Sequence, residues 1–123
     1  MYRKLKLMLG AAALALGVTS AHAADPVRFA LCYDLTKAYT FITPQIVQAV
    51  KDYAALLNSK GGLDGTPIEI IAQDHGNEPQ RGIECYERVK GQAVTVDFLS
   101  TPVSRAVLPR AMKDGEVMIQ ALA

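Results

Sequence analysis

From residue 27 onward, short apolar runs alternate with amphipathic stretches. Residues 27–32 (VRFALC) are short and apolar, which predicts a strand buried on both faces. Thr43-Pro44 predicts a helix start, with a hydroxyl N-cap and then proline at the first helical position. Ile46, Ala49, Val50, Tyr53 and Leu57 recur at helical spacing, with Gln45, Gln48, Lys51, Asp52 and Asn58 on the other side. Gly61-Gly62 ends this helix, because glycine takes the left-handed cap conformation at little cost. Leu63-Asp64-Gly65 reads as a turn and 67–72 (PIEIIA) as a second strand.

The pattern then repeats. Asn77-Glu78-Pro79 opens a second helix, with Gly82, Cys85, Tyr86 and Val89 on its inner face and Arg81, Glu84, Glu87 and Arg88 outside. Residues 94–99 (VTVDFL) form a third strand. A third helix is expected from Ser104 to about Asp114, with Pro109 bending it or marking a late start. Residues 117–121 (VMIQA) form a fourth strand. This alternation predicts an α/β fold: a parallel sheet with flanking helices and right-handed crossovers. Ligands of such sheets sit beyond the carboxyl ends of the strands. That points to loops 33–41, 74–78 and 100–104. The chain stops after the fourth strand with no helix to cover it, which leads us to expect a partial domain.

The segment before the first strand changes the picture of location. Residues 1–23 read as a secretory signal peptide: Arg3, Lys4 and Lys6, then an apolar run over 7–18, then Ala21-His22-Ala23 as the cleavage site. The apolar run is about 12 residues, short of the roughly 20 needed for a permanent membrane span. No lipobox cysteine follows it, so soluble export with cleavage after Ala23 is expected, and the periplasm as destination. The leader takes three of the 13 basic residues and none of the 12 acidic ones, leaving a charge of −2 on residues 24–123. That balance argues against nucleic acid or an anionic membrane surface as partner. Cys32 and Cys85 match no metal spacing, and two small buried apolar side chains are the favoured reading.

With export, alternation and loops in hand, the chain resembles the periplasmic branched-chain amino acid binding proteins, the type I solute-binding proteins of ABC importers, whose relatives take amides, urea and aromatic acids. The resemblance covers residues 27–123. Residues 54–69 (AALLNSKGGLDGTPIE) match the family's helix end, N-x-x-GG-x-x-G and strand. Asp74 and Pro79 resemble its D-x-x-x-x-P link, and residues 99–104 (LSTPVS) its Ser/Thr-rich loop. Asp114-Gly115-Glu116-Val117-Met118-Ile119 resembles its entry to strand four. The family's working unit is two lobes that close on the ligand, so the resemblance implies that residues 24–123 are the first part of lobe one, with the second lobe absent.

The resemblance further implies a small-molecule solute, a membrane permease as partner, no cofactor, no metal and no catalysis. It makes Thr101 the best candidate for holding a solute carboxylate, with Ser100, Val103 and Ser104 beside it. Hydroxyls and backbone N–H groups at a helix start suit an anion. Pro102 removes one such donor. Tyr33, Asp34 and Tyr39 are the first-loop candidates, Asp34 for a ligand amine and Tyr39 or Phe41 for an aromatic wall. Leu122 marks the approach to a further family position past strand four. Some amino-acid binders join the second and third loops by a disulfide; those positions match Asn77 and Ser100 here, so both partners are missing. If the strand order is 2-1-3, Cys85 crosses above Cys32 and the two become neighbours.

Two other classes compete. An exported enzyme would use His75, the only histidine after the leader. No nucleophile or metal set accompanies it, so it reads as a surface loop residue whose loss leaves binding nearly intact. A ligand-sensing ectodomain of the same fold is the other, and a truncated product without function of its own is the remaining alternative. Gly61-Gly62-Leu63-Asp64-Gly65 fails as a phosphate loop, because it follows a helix and precedes a strand.

Overall fold

The computed structural model describes residues 24–121; the expected signal peptide and Leu122 lie outside the described residues. Four strands and three helices alternate: β1 (Val27–Tyr33), α1 (Thr43–Ser59), β2 (Ile68–Asp74), α2 (Pro79–Val89), β3 (Thr95–Leu99), α3 (Thr101–Asp114) and β4 (Met118–Gln120). The strands form one parallel sheet in the order β2-β1-β3-β4. Tyr33 pairs with Asp74 on one side and with Leu99 on the other, so three strands end level. The expected α/β class and parallel sheet are what the structure has.

Alternation along β1 divides the core. Ala30 and Cys32, with Val96 and Phe98 of β3, face Cys85, Tyr86 and Val89 of α2 and Val103, Val107 and Ala111 of α3. Leu31, Tyr33 and Leu99 face Val47 of α1 on the opposite side. The buried positions of α2 are Gly82, Cys85, Tyr86 and Val89, the stripe the sequence pattern predicts. Gly82 permits the close approach of α3, since a Cβ there would lie 2.1 Å from Val103 Cγ1.

Three expectations are corrected. The inner stripe of α1 is Thr43, Val47 and Ala54, flanked by half-buried Val50 and Leu57, while Ala49 and Tyr53 are exposed. The helix lies along β2, and Tyr53 overhangs an open apolar groove of about 290 Å³ whose floor includes Leu31, Asp97 and Ile119. Thr43 is inside α1 rather than its cap, and its hydroxyl donates to the carbonyls of Asp34 and Tyr39. Helix α3 starts at Thr101, three residues before the expected Ser104. Pro102 fits its first turn, where a missing N–H breaks no intrahelical bond.

The glycine-rich segment after α1 is structural. Gly61 N–H reaches Asn58 O and Gly62 N–H reaches Leu57 O, a Schellman stop. Gly62 has φ of +72°, and a Cβ there would meet Thr66 O at 2.1 Å. Asn58 then pairs with the backbone of Ile68 through both its amide atoms, each at 2.8 Å, and sets where β2 begins.

Cys32 and Cys85 form a disulfide, with Cα atoms 6.2 Å apart, and both are fully buried. The reading of two separate thiols is therefore corrected. The strand order places α2 across β1, which brings the two together. The bond closes a loop with a sequence separation of 53 residues, worth about 4 kcal/mol in the chain-entropy treatment. Replacing both cysteines by alanine is expected to lower unfolding stability by about 2–4 kcal/mol in urea titrations. An unchanged midpoint would show that the bond does not stabilise the fold.

Candidate functional site

The level strand ends bring three loops to one edge, and their backbone donors need acceptors. Asp34, fully buried after β1, supplies the first set. Its Oδ1 accepts the N–H groups of Thr36 and Lys37 at 3.2 and 2.8 Å, and its Oδ2 accepts that of Tyr39 at 2.9 Å. Burial pushes its pKa up, but these backbone donors outweigh burial and hold it below the ordinary value. Both carboxylate oxygens thus organise the first loop from within.

Asp74 ends β2 and ties that loop to the second. It accepts from Leu35 N–H at 2.9 Å, Thr36 Oγ1 at 2.8 Å, Gly76 N–H at 2.8 Å and Arg81 Nη2 at 2.9 Å. Burial opposes its ionisation, yet the donors from Leu35, Thr36, Gly76 and Arg81 bring its pKa down to about 2. Lys37 and Glu78 add an exposed ion pair between the same loops.

The second loop binds the third. Ser100 Oγ donates to Asn77 Oδ1 at 2.6 Å, joining the two loops by a hydrogen bond. Ser104 Oγ bonds the Ser100 carbonyl at 2.9 Å and also contacts Gln120 of β4. Thr101 differs: it is half-exposed, and among the described residues its hydroxyl makes no hydrogen bond. The first intrahelical bond of α3 is Ser104 N–H to Ser100 O, so the N–H groups of Thr101 and Val103 precede the helical ladder.

The other sequence-predicted residues point elsewhere. The Val103 side chain is buried between α2 and α3, leaving its N–H as the group it can offer. Tyr33 turns to the α1 face, where its hydroxyl donates to Asp97 Oδ2 at 2.7 Å. Burial raises the pKa of both partners. Tyr39 is half-buried, with its ring 6.5 Å from that of Phe41 in a tilted pair. His75 is fully buried, which corrects its reading as a surface residue. Sequence reasoning assigned no role to the side chain of Asn77. Its position after Gly76 was the available signal, since asparagine tolerates the left-handed backbone it adopts here, φ +56°.

Asp74 generates a test of how these loops are held. Its folded pKa of about 2 lies below the ordinary 3.8, so the unfolded chain protonates first as pH falls. Its stabilisation is complete above that ordinary value and is lost as pH falls through about 2. Asp74→Asn is expected to lower stability by about 1–3 kcal/mol near neutral pH and to flatten the acid limb of the pH–stability curve. An acid limb identical to that of the unsubstituted chain would refute this role.

Comparisons with known proteins bear on the same edge. A sequence model described as periplasmic binding protein matches residues 26–123. No curated protein matches the sequence. Among solved structures, the fatty acid ABC transporter substrate-binding protein from Thermomonospora curvata is similar, with TM-score 0.74 and 28% identity over 79% of this chain and 25% of that one. A periplasmic binding protein type 1 from Bordetella pertussis Tohama I gives TM-score 0.68 and 22% identity, covering 76% of this chain and 26% of its own. A branched-chain amino acid transporter substrate-binding protein from Streptococcus pneumoniae, in complex with isoleucine, gives 0.70 and 16%, covering 78% and 28%. The last two show likeness of fold alone. The chain spans about a quarter of the length of each. Among the described residues, no helix is long and apolar enough to cross a membrane. Matched from its first strand to its last by one family model, and folded as these solute-binding proteins are, the chain belongs to the periplasmic binding protein family and has its type I fold.

Proposed function

We propose that residues 24–123 are the first part of lobe one of an exported solute receptor that serves an ABC importer, after removal of a signal peptide at Ala23. The solute is a small carboxylate, held at the start of α3. The observation that carries this reading is the hydroxyl of Thr101, half-exposed and without a hydrogen-bond partner among the described residues, beside two serines that have theirs. Thr101 Oγ1 and the N–H groups of Thr101 and Val103 are donors at a helix N-terminus, where the dipole favours negative charge. The solutes named for two similar structures, a fatty acid and isoleucine, both carry a carboxylate.

The groove under α1 is less suited to such a solute. Its lining is apolar apart from Thr95, the Tyr53 hydroxyl and Asp97, and a second carboxylate beside Asp97 would be repelled. His75, the base that a catalytic reading would need, is fully buried.

Titrating the ¹⁵N-labelled chain with leucine, isoleucine, octanoate, benzoate and acetamide tests the site. One of the carboxylates is expected to shift the amide signals of Thr101, Val103 and Ser104, and Thr101→Ala to weaken that binding by about 1–3 kcal/mol. If none of the carboxylates moves those signals, or if Thr101→Ala binds equally well, Thr101 is not the anchor.

A further inference from the structure

His75 follows β2 directly and has no exposed surface. Its ring lies nearly parallel to that of Phe98 on β3, with centroids 6.3 Å apart. Its Nδ1 accepts the backbone N–H of Asn77 at 3.0 Å. A ring nitrogen that accepts carries no hydrogen, so the neutral imidazole holds its proton on Nε2. That Nε2 is buried and makes no hydrogen bond. Gly76 and Asn77 both have positive φ, +54° and +56°, and the turn closes with Glu78 N–H on the His75 carbonyl at 3.0 Å. Asn77 then accepts the Ser100 hydroxyl at 2.6 Å, one residue before Thr101. One imidazole lone pair therefore orients the residue that bridges the second and third loops.

We propose that His75 is a proton-dependent positioning residue: neutral, it holds Asn77 and through it Ser100 at the edge of the solute site; protonated, it lets them go. The consequence for solute binding rests on the Thr101 reading; the switch itself does not. Protonation places a hydrogen on Nδ1, and both ring nitrogens become donors. The Nδ1–H then faces the N–H of Asn77, donor against donor, in a site closed to water. The charges around the ring compete. Burial disfavours the cation and is the largest effect. Asp34 from the first loop and Asp74 from β2 favour it, as does the Cys32 carbonyl of β1, while Arg81 of α2 opposes it. Phe98 of β3 presents a neutral ring. Burial prevails and holds the pKa below the ordinary 6.5. The loop contact is thus complete above that value and is lost as pH falls through the lower folded one.

Nuclear magnetic resonance on the full chain tests this without any solute. Near neutral pH, the imidazole ¹⁵N shifts are expected to report the Nε2–H tautomer and the Asn77 amide to be protected from exchange. On acidification from pH 6.5 through the lower folded value, Asn77 should lose about threefold to tenfold protection beyond the intrinsic pH dependence, while Phe98 within β3 stays protected. His75→Asn places a non-titrating carbonyl near the Nδ1 position and should keep Asn77 protected at every pH. His75→Leu should leave it unprotected throughout. If His75→Leu does not fold, the comparison of His75→Asn with the unsubstituted chain decides alone. A flat Asn77 profile in the unsubstituted chain, or the same acid loss in His75→Asn, overturns the proposal. A failed solute titration with this pH response intact would sink the Thr101 site and spare the switch.

Discussion

The constraint on which this structure depends is hydrogen-bond accounting at the carboxyl edge of a parallel sheet. Three strands end level at Tyr33, Asp74 and Leu99, and each chain must turn away there into a loop. The loop N–H groups leave the sheet ladder and need other acceptors. Two aspartates meet that demand. Asp34 gathers three backbone donors of its own loop, and Asp74 gathers two more with a hydroxyl and a guanidinium. Because Asp74 serves both the first loop and α2, the two cannot shift independently. The edge proposed to face a solute is built from charged acceptors turned inward.

Much of this fold was legible in the sequence. The strand and helix alternation, and the inner stripe of α2, follow from periodicity because α2 is covered along its whole length by β1 and α3. The stripe of α1 was read about one position out of phase. Its apolar side chains are more numerous than its contacts, and Tyr53 lies over a part of the sheet that no described helix covers. The start of α3 was placed at Ser104, three residues late, although proline at 102 fits a first turn. The disulfide required knowing the strand order, which periodicity does not encode. At the site, the hydroxyl-rich run 100–104 was visible, but which hydroxyl stays unpaired was not. That depends on Asn77 arriving at Ser100 and on Ser104 reaching back to the Ser100 carbonyl.

The linkage between the second and third loops also has consequences for how the edge behaves. Asn77 and Ser100 are held by one hydrogen bond. Such a bond is worth about 0.5–1.5 kcal/mol net, against about 2–4 kcal/mol for a typical disulfide. The covalent link in this chain lies deeper, between the middle strand and α2. The interior is therefore cross-linked while the loop junction is reversible. A reversible junction is what the proposed coupling from His75 to Ser100 requires.

The two faces of the sheet complete the argument about where a solute belongs. On one face, α2 and α3 pack on β1 and β3 with Gly82 against Val103 and the disulfide beneath. On the other, α1 leaves a groove open, lined in part by the half-buried Asp97, whose Oδ2 takes the Tyr33 hydroxyl. Thr101 starts the helix of the closed face, so its backbone donors are fixed by a packed layer before any solute arrives. Donors fixed in advance lose less freedom on binding than donors on a mobile loop. The groove of the open face has volume but little that is positioned to receive an anion. Rigidity and charge therefore both favour the start of α3 over that groove.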